Sequence, residues 1–214
     1  MRLFPGQNAA GRNKGALPAD SKGPNDHGGM LSKFLIANFL AALYLLYPVL
    51  LRGQSEVDEY RLKAAFLFHF AQFVEWPSSV LKNPPGPLVI CVMGQDPFRG
   101  ELEGLVQGKS IDGRVLEVRH VRQIQDSRTC HLLFIGKKES AHVPELIAIL
   151  RNMPVLTIGE SDDFLQQGGI IRFCWEERKV RFEVNQEAAG KANLKISSRL
   201  LLLAKTVIGH SSGR

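Results

Sequence analysis

Hydrophobic positions along the chain fall into three regimes. Residues 1–29 are rich in Gly, Asn, Pro and Ala and show no apolar periodicity, so they have too little apolar surface to build a core. Phe34 to Leu51 is an apolar run broken only by Asn38. From Glu56 onward, short apolar segments alternate with turn residues, and their periods define the elements.

The first of these is a helix over Glu56 to Glu75. Leu62, Ala65, Phe66, Phe68, Phe70, Phe73 and Val74 recur at helical spacing, and Trp76-Pro77 ends it because a residue before proline avoids the helical region. Leu88–Met93 and Leu132–Ile135 are unbroken apolar runs, the mark of strands buried on both faces. Val115–Val121 alternates like a half-exposed edge-type strand, and Pro154–Ile158 is a fourth strand. Helices are expected over Phe98–Val106, over Glu139–Asn152 with Val143, Leu146, Ile147 and Leu150 on one face, and over Ser161–Gln167 with Ser161 as its cap. Ile170–Trp175 and Lys179–Val184, joined by Glu176-Glu177-Arg178, form an antiparallel hairpin, and helices follow over Gln186–Ala192 and Ser197–Val207.

Strands alternating with helices imply an α/β fold with a mostly parallel mixed sheet, helices on both faces, and a C-terminal β-hairpin followed by helices. Three strands run out into glycine, at Met93-Gly94, Ile135-Gly136 and Ile158-Gly159, where the chain must turn towards a helix. Ligands of such sheets usually sit at these carboxyl ends.

Charge changes the picture less than its total suggests. The 214 residues carry 27 Lys/Arg against 21 Asp/Glu, a formal +6. Residues 1–53 hold six of the basic and two of the acidic side chains, leaving 21 against 19 in residues 54–214. A nucleic-acid binder keeps its basic excess in the folded part, so the net charge does not point to nucleic acid. The front of the chain is better read as targeting. Lys33, the apolar run and the small-residue exit at Gly53-Gln54-Ser55 follow secretory signal grammar. The expected layout is therefore an extension over 1–29, disordered or preceding a true start at Met30, a cleaved signal over 30–55, a domain over 56–208 and a disordered tail over 209–214. A membrane anchor is the competing reading, although 18 residues span only about 27 Å as a helix. In either case the basic side precedes the apolar run and the domain is translocated, which places it outside the cytoplasm.

Catalytic chemistry has little to stand on. Gly94-Gln95-Asp96-Pro97 follows a strand but lacks GxGxxG spacing, and there is no Walker A loop, GxSxG elbow or HExxH pair. The histidines are scattered and no Cys/His set has zinc spacing, so no cofactor, metal or catalytic group is expected. Three cysteines (Cys91, Cys130, Cys174) suit one bridge and one thiol in an oxidising compartment, or three small buried hydrophobes in a reducing one. The aromatics of the first helix exceed one buried stripe, since Phe68 points away from the face of Phe66, Phe70 and Phe73. Together with basic residues of the hairpin, they mark an expected partner surface.

A family resemblance emerges from the motifs in order: Tyr60–Phe70, then Phe73-Val74-Glu75-Trp76-Pro77; Ile90–Gly94 with Asp96-Pro97-Phe98; Cys130–Gly136; Pro154–Gly159; Gly168–Ile171; Val180–Asn185; and Leu194–Leu201. Over about residues 57–208 the chain resembles the YfiR family. The resemblance implies a non-enzymatic periplasmic protein that binds and represses an inner-membrane diguanylate cyclase, with effects on cyclic-di-GMP, biofilm and motility. It also implies an outer-membrane lipoprotein partner and a capacity to dimerise. Arg61, Phe68, Trp76, Arg172 and Arg181 are the expected partner-binding residues. A periplasmic sensor of a small anion or nucleotide, bound at the glycine-ended strands, is the alternative.

The resemblance further implies a Cys91–Cys130 disulfide, with Cys174 left as a thiol. Geometry leaves this open. Were the two strands parallel neighbours ending together, Cys91 would face Leu133 and Cys130 would lie roughly 10 Å further along, beyond the usual Cα separation of a bridge. A shifted register or a bend before Leu132 would close the gap.

Overall fold

The computed structural model describes residues 57–80 and 86–209, all within one compact unit, Leu50–Arg214. The expected extension, signal segment and nearly all of the tail lie outside the described residues. Among those residues, no helix is long and apolar enough to cross a membrane.

Helix α1 covers residues 57–73 and passes directly into β1 (Val74–Glu75). The sheet follows, with β2 (Leu88–Met93), α2 (Glu101–Val106), β3 (Ser110–Ile111), β4 (Arg114–Val121), β5 (Leu132–Ile135), α3 (Val143–Leu150), β6 (Leu156–Gly159), β7 (Ile171–Glu176), β8 (Lys179–Asn185), α4 (Gln186–Lys191), β9 (Lys195–Ile196), α5 (Ser198–Leu203) and β10 (Thr206–Ile208). Eight strands form one sheet in the order β10-β8-β7-β6-β5-β2-β4-β3, and β1 pairs with β9 in a separate two-stranded ladder. The fold is α/β with a mixed, largely parallel sheet: the antiparallel pairs within it are β7–β8 and β3–β4.

Both unbroken apolar runs occupy the middle of the sheet, where each face needs cover. Leu88, Ile90 and Val92 of β2 join Leu132 and Phe134 of β5 in a core beneath α1, while Val89, Cys91 and Met93 join Leu133 and Ile135 in a second core beneath α3. Period-2 alternation thus feeds two cores from one strand. On the α1 side, Phe66 and Phe70 pack against Phe173 and Phe182 of the hairpin, with ring centroids 5.0–5.9 Å apart. That contact places α1 across β7 and β8.

Several expected elements change. Ser161–Gln167 forms consecutive turns, not a helix, and the Ser161 hydroxyl caps nothing: it has no hydrogen-bond partner. The reason is Phe164, whose ring fills a notch between two glycines; a Cβ on Gly159 or Gly169 would come within 2.3 and 2.2 Å of it respectively. The helix expected over Ser197–Val207 stops at Leu203, where Ala204 turns extended (φ −67°, ψ 142°). Thr206–Ile208 then adds a parallel edge strand to β8. Helix α2 begins at Glu101 because Asp96 accepts the backbone N–H groups of Phe98 (2.8 Å) and Gly100 (3.3 Å), which bends the chain before it. Lys137–His142 is a 3₁₀ helix leading into α3. The hairpin turns on Glu177 and Arg178, both at positive φ (48° and 62°), the two-residue geometry that matches strand twist but is usually given to Asn-Gly.

Candidate functional site

The strand order reverses between β2 and β5. After β2 the chain leaves towards β4, and after β5 it leaves towards β6, which makes their carboxyl ends the crevice where an open α/β sheet would receive a ligand. The protein's own side chains fill it. Glu139 lies over Gly94 so closely that a Cβ there would meet its carboxylate at 2.1 Å, and Lys138 Nζ donates to Gln95 Oε1 at 3.0 Å across the gap. One strand further on, Phe164 occupies the notch at Gly159. At Gly94 and Gly159 the glycine-ended strands accommodate internal packing rather than a phosphate.

An open cleft lies next to this, at the rim formed by the carboxyl ends of β6 and β7 and the first turns of α1. Its volume is about 530 Å³, and Glu59, Tyr60, Lys63, Glu160, Arg172 and Trp175 help to line it. Lys63 is only 4 % exposed, because it shares the inward face of α1 with the buried Leu67 and Phe70, four and seven residues on. Its ammonium donates to both Glu59 and Glu160 and lies 4.6 Å from the centroid of the Tyr60 ring. Glu160, directly after β6, also accepts the Lys137 backbone N–H at 2.9 Å and the Tyr60 hydroxyl at 3.3 Å. Arg172 donates to Glu183 (2.7 Å) and Asp162 (2.9 Å). Lys63 thus ties Glu59 of α1 to Glu160 at the end of β6 and holds α1 to the sheet, while Arg172 clamps Asp162 and Glu183 on the other side. The two cations are each engaged by two carboxylates, and none of these groups stands as an activated nucleophile or base. Cys174 fits the same picture: burial, helped by Glu183, pushes its thiol pKa up against the opposing pull of Lys205 and Arg172, which keeps it protonated and weakly nucleophilic.

The expected partner-binding residues do not form one patch. Arg61 is exposed on α1, 3.9 Å from Glu101, and Phe68 is half-buried with Lys109 Nζ 4.6 Å from its ring centroid. Arg181 is exposed on β8 and faces Cys174 across the hairpin, on the side opposite Phe173 and Phe182 and so opposite α1. Arg172 shares that side and is held in its ion pairs. Trp76 is buried, 8 % exposed, and its Nε1 donates to the His131 carbonyl at 3.2 Å. Sequence reasoning missed Lys63, Glu160 and Trp175, the last 50 % exposed with its Nε1 donating to Glu59 at 3.1 Å. A lysine on the apolar stretch of a helix was the available signal for the first.

Cys91 and Cys130 are joined, with Cα atoms 5.8 Å apart. The register is the unshifted one, Cys91 opposite Leu133. The gap closes because β5 begins only at Leu132: the 3₁₀ helix Ile124–Thr129 delivers Cys130 from the side, and His131 N donates to Val89 O at 2.9 Å to anchor the bend. Cys174 remains a thiol.

His131 shares that bend. Its Nδ1 accepts the Val89 backbone N–H at 3.1 Å, and burial, followed by the charges of Arg114 and Arg119, holds its pKa below the ordinary 6.5. A protonated ring cannot accept that bond. Below about pH 6.5 the unfolded chain takes up a proton that the native one refuses, so stability falls as pH drops through that range. Denaturant midpoints at about pH 7.5 and pH 5.5 should show the loss, and His131→Asn should flatten it; an unchanged slope in the variant would remove His131 as the cause.

Residues 60–205 match the family model described as YfiR/HmsC-like. The chain belongs to the YfiR/HmsC-like family. That family comprises periplasmic regulators of diguanylate cyclase systems rather than enzymes. Among solved structures, a conserved domain protein from Vibrio cholerae O1 biovar eltor is similar at a TM-score of 0.42 and 10 % identity, over 56 % of this chain and 54 % of that one. The ABC domain in complex with L-Trp from Streptococcus pneumonia is similar at 0.41 and 10 %, over 56 % and 55 %. The chain spans about half the length of these two proteins, a likeness too slight to bear on function.

Proposed function

We propose that this YfiR/HmsC-like protein is exported to the periplasm, where it binds the periplasmic part of an inner-membrane diguanylate cyclase and represses it, lowering cyclic-di-GMP and with it biofilm formation. Family membership across residues 60–205 is the observation that carries this reading. The mutually engaged ion-pair cluster and the filled strand-end crevice favour a binding protein over the small-ligand sensor. An outer-membrane lipoprotein that withdraws the repressor, and a homodimer, complete the proposed partner set.

The proposed contacts are the exposed Arg61 and the half-buried Phe68 on α1 and the exposed Arg181 on the opposite side of the hairpin, while Arg172 and Trp76 are held in internal contacts. Arg61–Glu101 and Arg181–Glu176 are long, exposed pairs at 3.9 Å, and such pairs add at most about 1 kcal/mol to stability. Arg61→Glu or Arg181→Glu should therefore weaken repression while leaving the melting temperature nearly unchanged. The measurement is cyclic-di-GMP in cells expressing the cyclase with and without each variant. Loss of fold together with loss of repression would make these residues structural, and unaltered repression in both would remove the surface.

A further inference from the structure

We propose that Asp96, Glu103 and His120 form a binding site for a divalent transition-metal ion of the zinc class. The three residues come from separate elements: the turn after β2, helix α2, and the penultimate position of β4. One donor atom from each, a carboxylate oxygen or a ring nitrogen, lies within 4.8 Å of the others. Sequence spacing hides the set, because the ligands stand far apart along the chain and meet only where α2 folds back over β4.

Local structure accounts for most of the cluster, but not all of it. Asp96 holds the turn through Phe98 and Gly100, each of its oxygens accepting one backbone N–H and keeping a second lone-pair site. His120 Nε2 and Glu103 Oε1 are 2.8 Å apart. The other oxygen of Glu103, Oε2, is shielded from solvent and has no hydrogen-bond partner. A carboxylate oxygen withdrawn from water without a donor is costly, and neither the turn nor the His120 contact satisfies it. A cation beside this carboxylate would.

The donor chemistry selects the ion. One imidazole nitrogen and two carboxylates, with the remaining positions left to water, match an open zinc-type site, whereas calcium takes six to eight oxygens. Bonds of about 2.1 Å place tetrahedral ligands about 3.4 Å apart. Opening the His120–Glu103 pair and drawing in Asp96 is within reach of side chains that are 42 % and 39 % exposed. The ion would take the Nε2 lone pair of the neutral ring, the proton residing on Nδ1. It would tie β2, α2 and β4 together at the edge of the filled crevice.

The test is calorimetric titration of zinc chloride, and separately calcium chloride, into chelator-stripped protein purified from the periplasm. One equivalent of zinc is expected, with a rise in melting temperature. Loss of a residue that merely orients a ligand costs roughly 10–100-fold in metal affinity, so His120→Ala and Glu103→Gln should each cost about 100-fold or more. Should His120→Ala fail the circular-dichroism check for folding, His120→Gln replaces it. His142→Ala, whose ring pairs with Glu139 at 3.0 Å, should bind zinc like the parent. No zinc uptake, uptake unaltered in either site variant, uptake lost in His142→Ala, or a preference for calcium would each overturn the assignment.

Discussion

Lys63→Met is expected to be the most destabilising single substitution at the candidate site. Its side chain is 5 % exposed and its partner Glu160 is 6 % exposed, so the variant leaves a carboxylate buried without its cation. Removing one member of a buried pair costs about 3–5 kcal/mol, whereas replacing both by apolar groups of similar shape is often close to neutral. For a domain of this size the melting temperature should fall by on the order of 10 °C. Glu160→Gln in the same chain should recover part of that loss, because the amide needs no counter-charge. Thermal unfolding of the two single variants and the double variant checks this. A loss below about 1 kcal/mol in Lys63→Met would mean that the cluster is loosely held and does not anchor α1.

The second large effect belongs to the Cys91–Cys130 bridge. It spans 39 residues, and by the chain-entropy account closing such a loop contributes about 4 kcal/mol. Both cysteines are buried in the core beneath α3, so Cys91→Ala with Cys130→Ala should lower the unfolding free energy by a comparable amount, seen as a lower denaturant midpoint. Peptide mapping without reductant should recover a linked Cys91–Cys130 peptide and leave only Cys174 open to alkylation on unfolding. Alkylation of all three thiols without reductant would refute the bridge.

Much of the fold was legible because its central strands are continuous apolar runs. No helix of this domain could bury Leu88–Met93 or Leu132–Ile135 on every side, but a sheet covered on both faces can. What could not be read depends on partners distant in sequence. Thr206–Ile208 continues an apolar spacing begun in α5, and only the open edge of β8 makes it a strand. Ser161–Gln167 has a helix-like composition, but the glycine notch claims Phe164 and bends the segment into turns. The ion-pair cluster was invisible for the same reason, since Lys63 and Glu160 stand 97 positions apart. Trp76 shows the converse difficulty: in a row of aromatics, a buried anchor and an exposed contact have the same spelling.

The ladder between β1 and β9 has a bearing on how the chain folds. Val74 pairs with Ile196 and Glu75 with Lys195, and Ser197 N donates to Phe73 O at 3.0 Å. The start and finish of the domain are thus stitched together, and the phenylalanines of α1 rest on the late strands β7 and β8. A chain that emerges N-terminus first must hold this aromatic helix uncovered until nearly the whole domain has appeared. Because non-local contacts of this kind form slowly, the helix is the segment most in need of a holding chaperone, and truncation before β7 should leave its phenylalanines uncovered for good.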